Sequence, residues 1–177
     1  MFTRLKKCCL KNLWGGVING YAFTYYGWES QSNDREETYP LLDKYFKNGE
    51  YLDCVVIQLG ENVTDAGNEN STYEKDYKKL IEHIKKEAPN AKIVTIGDFW
   101  ADATKDAVKS KVADQENVAY VDLSEIQGDP DYEAGMGTMV EGDDGQKHKI
   151  EYSGVATHPG DKGMKYIANK VVEAIEE

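Results

Sequence analysis

The sequence predicts a layered α/β domain, a three-layer sandwich with a mainly parallel sheet. Three observations carry that prediction. Short apolar, β-branched runs occur at residues 53–59, 92–97 and 118–123; amphipathic helical stripes lie between and after them; and the two kinds of segment alternate, which requires parallel strands joined by crossovers. A chain of 177 residues is long enough for one domain with a real hydrophobic core and too short for two. At 40% hydrophobic and 30% charged, its composition is that of an ordinary globular protein.

Phe2, Leu5, Cys9 and Leu13 fall on one side of a short helix, "GGVINGYAF" (15–23) reads as a strand, and "YPLLDKYF" belongs to a helix reaching Lys47. The chain therefore opens in a helix rather than a strand. "DCVVIQL" (53–59) suits a strand buried on both faces. "STYEKDYKKLIEHIKKEAPN" sets Ser71 and Glu74 in capping-box register, places Tyr73, Tyr77, Leu80, Ile81 and Ile84 along one stripe, and stops at Pro89. "KIVTIG" (92–97) is the next strand, 103–115 a helix with Ala107, Val108 and Val112 facing inward, and "VAYVDL" (118–123) a further strand. The last helix carries Met164, Ile167, Ala168, Val171, Val172 and Ile175 on one stripe, with Asp161 as its cap. The connection from Leu123 to His158 is longer than loops usually run without structure or purpose. Within it "EGDDGQ", between "TMV" and "HKIEY", reads as a hairpin turn, and the whole fits either a surface excursion or an active-site flap.

The formal charge of −11, from 32 acidic and 21 basic side chains, repels a phosphate backbone, so no nucleic-acid partner is expected. No apolar run approaches the roughly 20 residues of a membrane-spanning helix, and no membrane partner is expected. "MFTRLKKCCLKNLW" has the positive charges of an export signal without the apolar segment that follows them, so the expected location is cytoplasmic as written, or exported if a longer N-terminus exists. Cys8, Cys9 and Cys54 lack metal-ligand spacing and read as reduced structural thiols. Turns explain Asp129, Asp131, Asp143 and Asp144 more simply than a hard cation does; no metal and no cofactor are expected.

In an open α/β sheet, ligands gather beyond the carboxyl ends of the strands. "GEN" (60–62), "GDFW" (97–100), "DLSE" (122–125) and the turn "GVATHPGDKGM" (154–164) all reach that rim. His83, on the polar side of a helix, and His148, near the hairpin, are set aside. At these rim segments the chain resembles the SGNH, or GDSL-type, hydrolases over most of its length. "QLGENV" matches their Gly-x-Asn block, giving Gly60 and Asn62, and "GVATHPGDKGM" before a helix matches their histidine block, giving His158.

The resemblance implies a flavodoxin-like sandwich and a cofactor-free serine esterase acting on acylated carbohydrate. Asn62 would direct its side-chain amide at the oxygen of a tetrahedral intermediate, and His158 would carry the proton between hydroxyl and leaving group. A glycine would add a backbone N–H, with Gly27 in "YYGWE" favoured over Gly20 in "INGYAF". Gly60, Glu61 and Trp100 are the expected substrate contacts, with Trp28 and Trp100 lining a sugar cleft. Taken by themselves, Asn62 also fits a turn asparagine bonding its own loop, His158 a solvated turn residue, and both tryptophans packed aromatics.

Two features of that family have no counterpart. No Gly-Asp-Ser or Gly-Asn-Ser follows an apolar strand, and Ser30, Ser32, Ser71, Ser110, Ser124 and Ser153 stand in other contexts, so no nucleophile is assigned and the first strand counts as missing. The aspartate expected three residues before the histidine is Val155 here, which leaves a backbone carbonyl, Asp98 or Asp122 to orient the imidazole. The expectation is a single SGNH-hydrolase-like domain over residues 1–177, N-terminally incomplete and inactive or nearly so, whose partner is a small-molecule or carbohydrate ester. The contrasting expectation is a non-catalytic module binding carbohydrate or protein on the same rim. A nucleotide binder ranks below both, since no glycine-rich phosphate loop follows a strand. Oligomeric state is left open.

Overall fold

A computed structural model describes residues 24–177 apart from 32, 48 and 143. The expected helix over residues 2–13, the strand over 15–23, and Cys8, Cys9, Gly20, Ser32 and Asp143 lie outside the described residues. Strands β1 (Cys54–Ile57), β2 (Lys92–Ile96) and β3 (Ala119–Val121) form a parallel sheet in the order β1-β2-β3, with Cys54 opposite Lys92 and Val94 opposite Ala119. Each strand falls inside the apolar run that predicts it. The helices are α1 (Tyr26–Glu29), α2 (Tyr39–Leu42), α3 (Tyr73–Glu87), α4 (Ala103–Glu116), α5 (Ser153–Ala156) and α6 (Asp161–Glu176).

The strand period of two divides β2 between two cores. Ile93 joins the α3 side with Trp28, Tyr39, Leu42 and Ile57, whereas Val94 and Ile96 join Val121, Leu123, Ile126 and Ile167 on the α6 side. The result is helix, sheet and helix in three layers, the flavodoxin-like arrangement. All five stripe residues of α3 are buried. Beyond Leu42, the predicted helix toward Lys47 tightens into a 3₁₀ turn, Asp43–Tyr45.

Four details depart from expectation. β1 is not buried on both faces: among the described residues it pairs only with β2, and Val56 is 45% exposed because α6 packs on β2 and β3 instead. The capping box of α3 does not form. Ser71 Oγ accepts from Tyr73 N–H, the N-cap is Thr72, and Glu74 pairs with Lys111 at 2.6 Å. Asp161 is the first residue of α6 rather than its cap, which is Gly160. In α4, Ala107 faces solvent, and the inward stripe is Lys105, Lys109, Val112 and Ala113.

The long connection has its own structure: a 3₁₀ turn at Pro130–Tyr132, an antiparallel hairpin of β4 (Met139–Glu141) and β5 (Lys147–Lys149), and α5. All six hairpin strand residues are exposed. Its base, in contrast, is tied to the histidine turn. Ala134 N–H donates to His158 O at 2.7 Å, Gly135 N–H to Ala156 O at 2.8 Å, and Gly160 N–H to Tyr132 O at 2.8 Å. The hairpin is a surface excursion, and its root is a brace for the backbone of His158.

Candidate active site

The turn after β1 is shaped by a glycine. Gly60 has φ +120°, in the region that disfavours side chains, and an added Cβ would stand 2.4 Å from the Tyr73 hydroxyl and 2.9 Å from Lys109 Cε. Val63 N–H closes the turn on Gly60 O at 3.0 Å. This leaves three donors, Gly60 N–H, Asn62 N–H and the Asn62 amide, facing one buried carboxylate from α1. Glu29 Oε1 accepts from Gly60 N at 2.7 Å and from Asn62 N at 3.3 Å, and Glu29 Oε2 accepts from Asn62 Nδ2 at 2.8 Å. Asn62 is exposed, and its amide is anchored to Glu29. It bonds Glu29 rather than its own loop.

The helix that carries Glu29 is fixed in turn by Arg35, which is fully buried. Its Nε donates to Trp28 O at 3.2 Å, and its two terminal nitrogens pair with Asp76 at 2.9 Å and Asp65 at 2.7 Å. Trp28 lies beneath that guanidinium, 0% exposed, with its ring edge-on to Tyr73 and Tyr77. It is a core residue and lines no cleft, because the one-turn α1 points it into the α3 stripe.

The turn after β2 is held by charges. Asp98 is buried and pairs with Lys109, itself fully buried; its Oδ2 lies 3.3 Å from Lys105 Nζ. Lys105 also donates to Glu61 O at 3.1 Å, so this one lysine ties the β1 turn to the β2 turn. Asp98 N–H donates to Asp106 at 2.8 Å, and Gln127 bridges Asp98 O and Asp106. Glu61 faces the same junction, where its Oε1 accepts from Phe99 N–H at 3.0 Å. Burial pushes the Glu61 carboxyl above its ordinary range, opposed by the Phe99 bond and reinforced by the charge of Asp98.

His158 is half-buried, and a backbone group orients it. Its Nδ1 bonds Gly154 O; since a carbonyl can only accept, Nδ1 carries the hydrogen. In the neutral ring Nε2 is therefore the free base. Asp98 and Asp122, the other candidate orienters, are engaged elsewhere, with Lys109 and with Ser124. Trp100, 36% exposed, stands edge-on to the imidazole at 4.7 Å and donates its indole N–H to Thr157 O at 3.0 Å. Tyr152, 72% exposed, lies against Gly154.

The structure thus joins the expected residues through one chain of contacts. Asn62 follows Glu61, Glu61 holds Phe99, Phe99 packs against Trp100, and Trp100 abuts His158. Gly60 is buried beneath the turn, where its backbone serves Glu29 rather than the open rim. Gly27 lies in the first turn of α1, two residues before Glu29, where helix N–H groups lack intrahelical acceptors. Asp129 and Asp144 accept from Asp131 N–H and Gln146 N–H within their own turns. Sequence reasoning missed Glu29, Lys105, Lys109 and Gly154. Only the lysine pair left a trace, an i, i+4 spacing continued by Val112 on the inward face of α4.

The turns that carry the Asn62 amide and the His158 imidazole are thus linked through Glu61, Phe99 and Trp100. A model of the GDSL-like lipase/acylhydrolase family matches residues 15–166, most of the chain. No curated protein matches it.

Proposed function

Because the chain belongs to the GDSL-like lipase/acylhydrolase family, the SGNH-type hydrolases, we propose that Asn62 and His158 act together on an acyl ester, with Gly27 as second donor and a carbohydrate portion resting on Trp100. The observation that carries this reading is the tautomer of His158: Gly154 O occupies Nδ1 and leaves Nε2 as acceptor. In this reading residues 1–177 form one domain, Gly60 and Glu61 shape the substrate edge, and no nucleic acid or membrane takes part.

The sequence carries no Gly-Asp-Ser or Gly-Asn-Ser turn to supply a serine, so in this reading water serves as the nucleophile. His158 Nε2 takes a proton from water as the water oxygen bonds the acyl carbon. The carbonyl electron pair moves to oxygen, where the Asn62 N–H stabilises it. Collapse of that intermediate expels the alcohol, which recovers the proton from the imidazolium. The Gly154 carbonyl stabilises this imidazolium with a partial charge only, weaker than the full charge of a triad carboxylate.

Hydrolysis of p-nitrophenyl acetate tests the proposal. The expected result is slow turnover with no initial burst, since no acyl-enzyme forms, lost in His158→Ala and reduced by about 10²-fold in Asn62→Ala, as for removal of an oxyanion donor. Turnover unaffected by either substitution overturns it. The exposed Trp100 ring favours one second reading, a saccharide-binding module; saccharide binding with no His158-dependent hydrolysis is its signature.

A further inference from the structure

One buried carboxylate, Glu29, holds both the backbone and the side chain of the turn that presents Asn62. Glu29 is 7% exposed and accepts three hydrogen bonds from the 60–62 turn, at 2.7, 3.3 and 2.8 Å. A carboxylate can only accept, so the Asn62 atom facing it is Nδ2, and the amide is fixed in one of its two flips. One Nδ2 hydrogen is spent on Glu29. The other is left for whatever lies on the exposed side.

We infer that Glu29 is a positioning residue: it sets the flip of the Asn62 carboxamide and couples α1, which carries Gly27, to the turn that carries Asn62. Preorganised donors cost no reorientation at the moment charge develops, which is what makes such a site effective. Charge-assisted bonds to a buried carboxylate are the strong kind, suited to holding a small amide still. Glutamine at this position has a similar size but presents an N–H where Glu29 presents oxygen. Its donor facing the Asn62 donor turns the carboxamide over and directs Oδ1, a repelling group, toward the oxyanion.

This inference rests on the proposed function only for its kinetic arm, and the test separates the two. In ¹⁵N-resolved spectra of the full chain, the Asn62 side-chain pair is identified by its loss in Asn62→Ala. The expected result in the native protein is one Nδ2 proton shifted downfield and protected from solvent exchange while its geminal partner exchanges freely. In Glu29→Gln the protected signal should lose its shift and protection. The kinetic arm uses p-nitrophenyl acetate: Glu29→Gln should lower kcat by about tenfold, below the loss for removing the donor itself, with KM within about twofold, and should have no further effect in an Asn62→Ala background. Equal exchange of the two Nδ2 protons in the native chain overturns the inference even if Glu29→Gln fails to fold. An equal loss of kcat with and without Asn62 overturns it too, because the effect would then be structural. Native protein without hydrolysis, but with one protected Nδ2 proton sensitive to Glu29→Gln, supports the inference and removes the esterase reading.

Discussion

At the scale of single residues, the local environment sets what each side chain can do. Glu61 is raised by burial, so the folded chain holds its proton more readily than the unfolded chain does. Its contribution to stability is full below the unfolded value and is lost as pH rises through the folded one. Glu61→Gln keeps the acceptor for Phe99 N–H and removes the charge. The substitution should therefore raise the melting temperature relative to native protein at pH 7, with the gain vanishing toward pH 4, as thermal melts across that range would show. Gly60→Ala meets the opposite fate, because φ +120° and the Tyr73 hydroxyl both oppose a Cβ. Urea unfolding should register a loss of more than about 1 kcal/mol.

At the scale of elements, α4 shows where hydrophobic periodicity succeeds and fails. Its bounds were legible from the sequence, and so was Val112, but the inward positions 105 and 109 hold lysines whose partner lies after β2. A pattern of apolar residues cannot reveal a charge buried by pairing with a distant carboxylate. Glu29 escapes for the same reason: its three donors lie beyond another strand and only the fold brings them near. The capping box of α3 does not form because Ser71 accepts from Tyr73 N–H and Glu74 is drawn to Lys111 on α4. Stability should expose the lysine pair directly. Lys109→Met leaves Asp98 buried with only Lys105 opposite, and chemical denaturation should show a loss of about 3 kcal/mol, the low end for breaking a buried ion pair. Adding Asp98→Asn should recover much of it; further loss in the double variant would contradict the pairing.

At the scale of the whole molecule, the parallel sheet brings the ends of β1 and β2 and the entry to α6 to one rim, where the candidate site lies. That much was readable from alternating strand and helix signals together with two short blocks around Asn62 and His158. The orientation of His158 was not, because a carbonyl four residues earlier leaves no mark in a sequence. The long connection divides into parts with different duties. Thr138 O accepts from Ile150 N–H at 2.9 Å, so the exposed hairpin beyond them can be cut away and closed by a short turn. Replacing residues 139–149 with Asn-Gly should leave the melting temperature and the circular dichroism of the helices nearly unchanged. A large loss would mean that the ribbon carries stability that its exposure denies.

Whether Asn62 and His158 serve one acyl group is tested most directly by a titration with acetate, the acid product of the test ester. Followed by NMR, the side-chain signals of Asn62 and of the His158 ring should move together along a single binding curve, one carboxylate touching both. If only one of them moves, or the two follow different curves, the shared site does not exist.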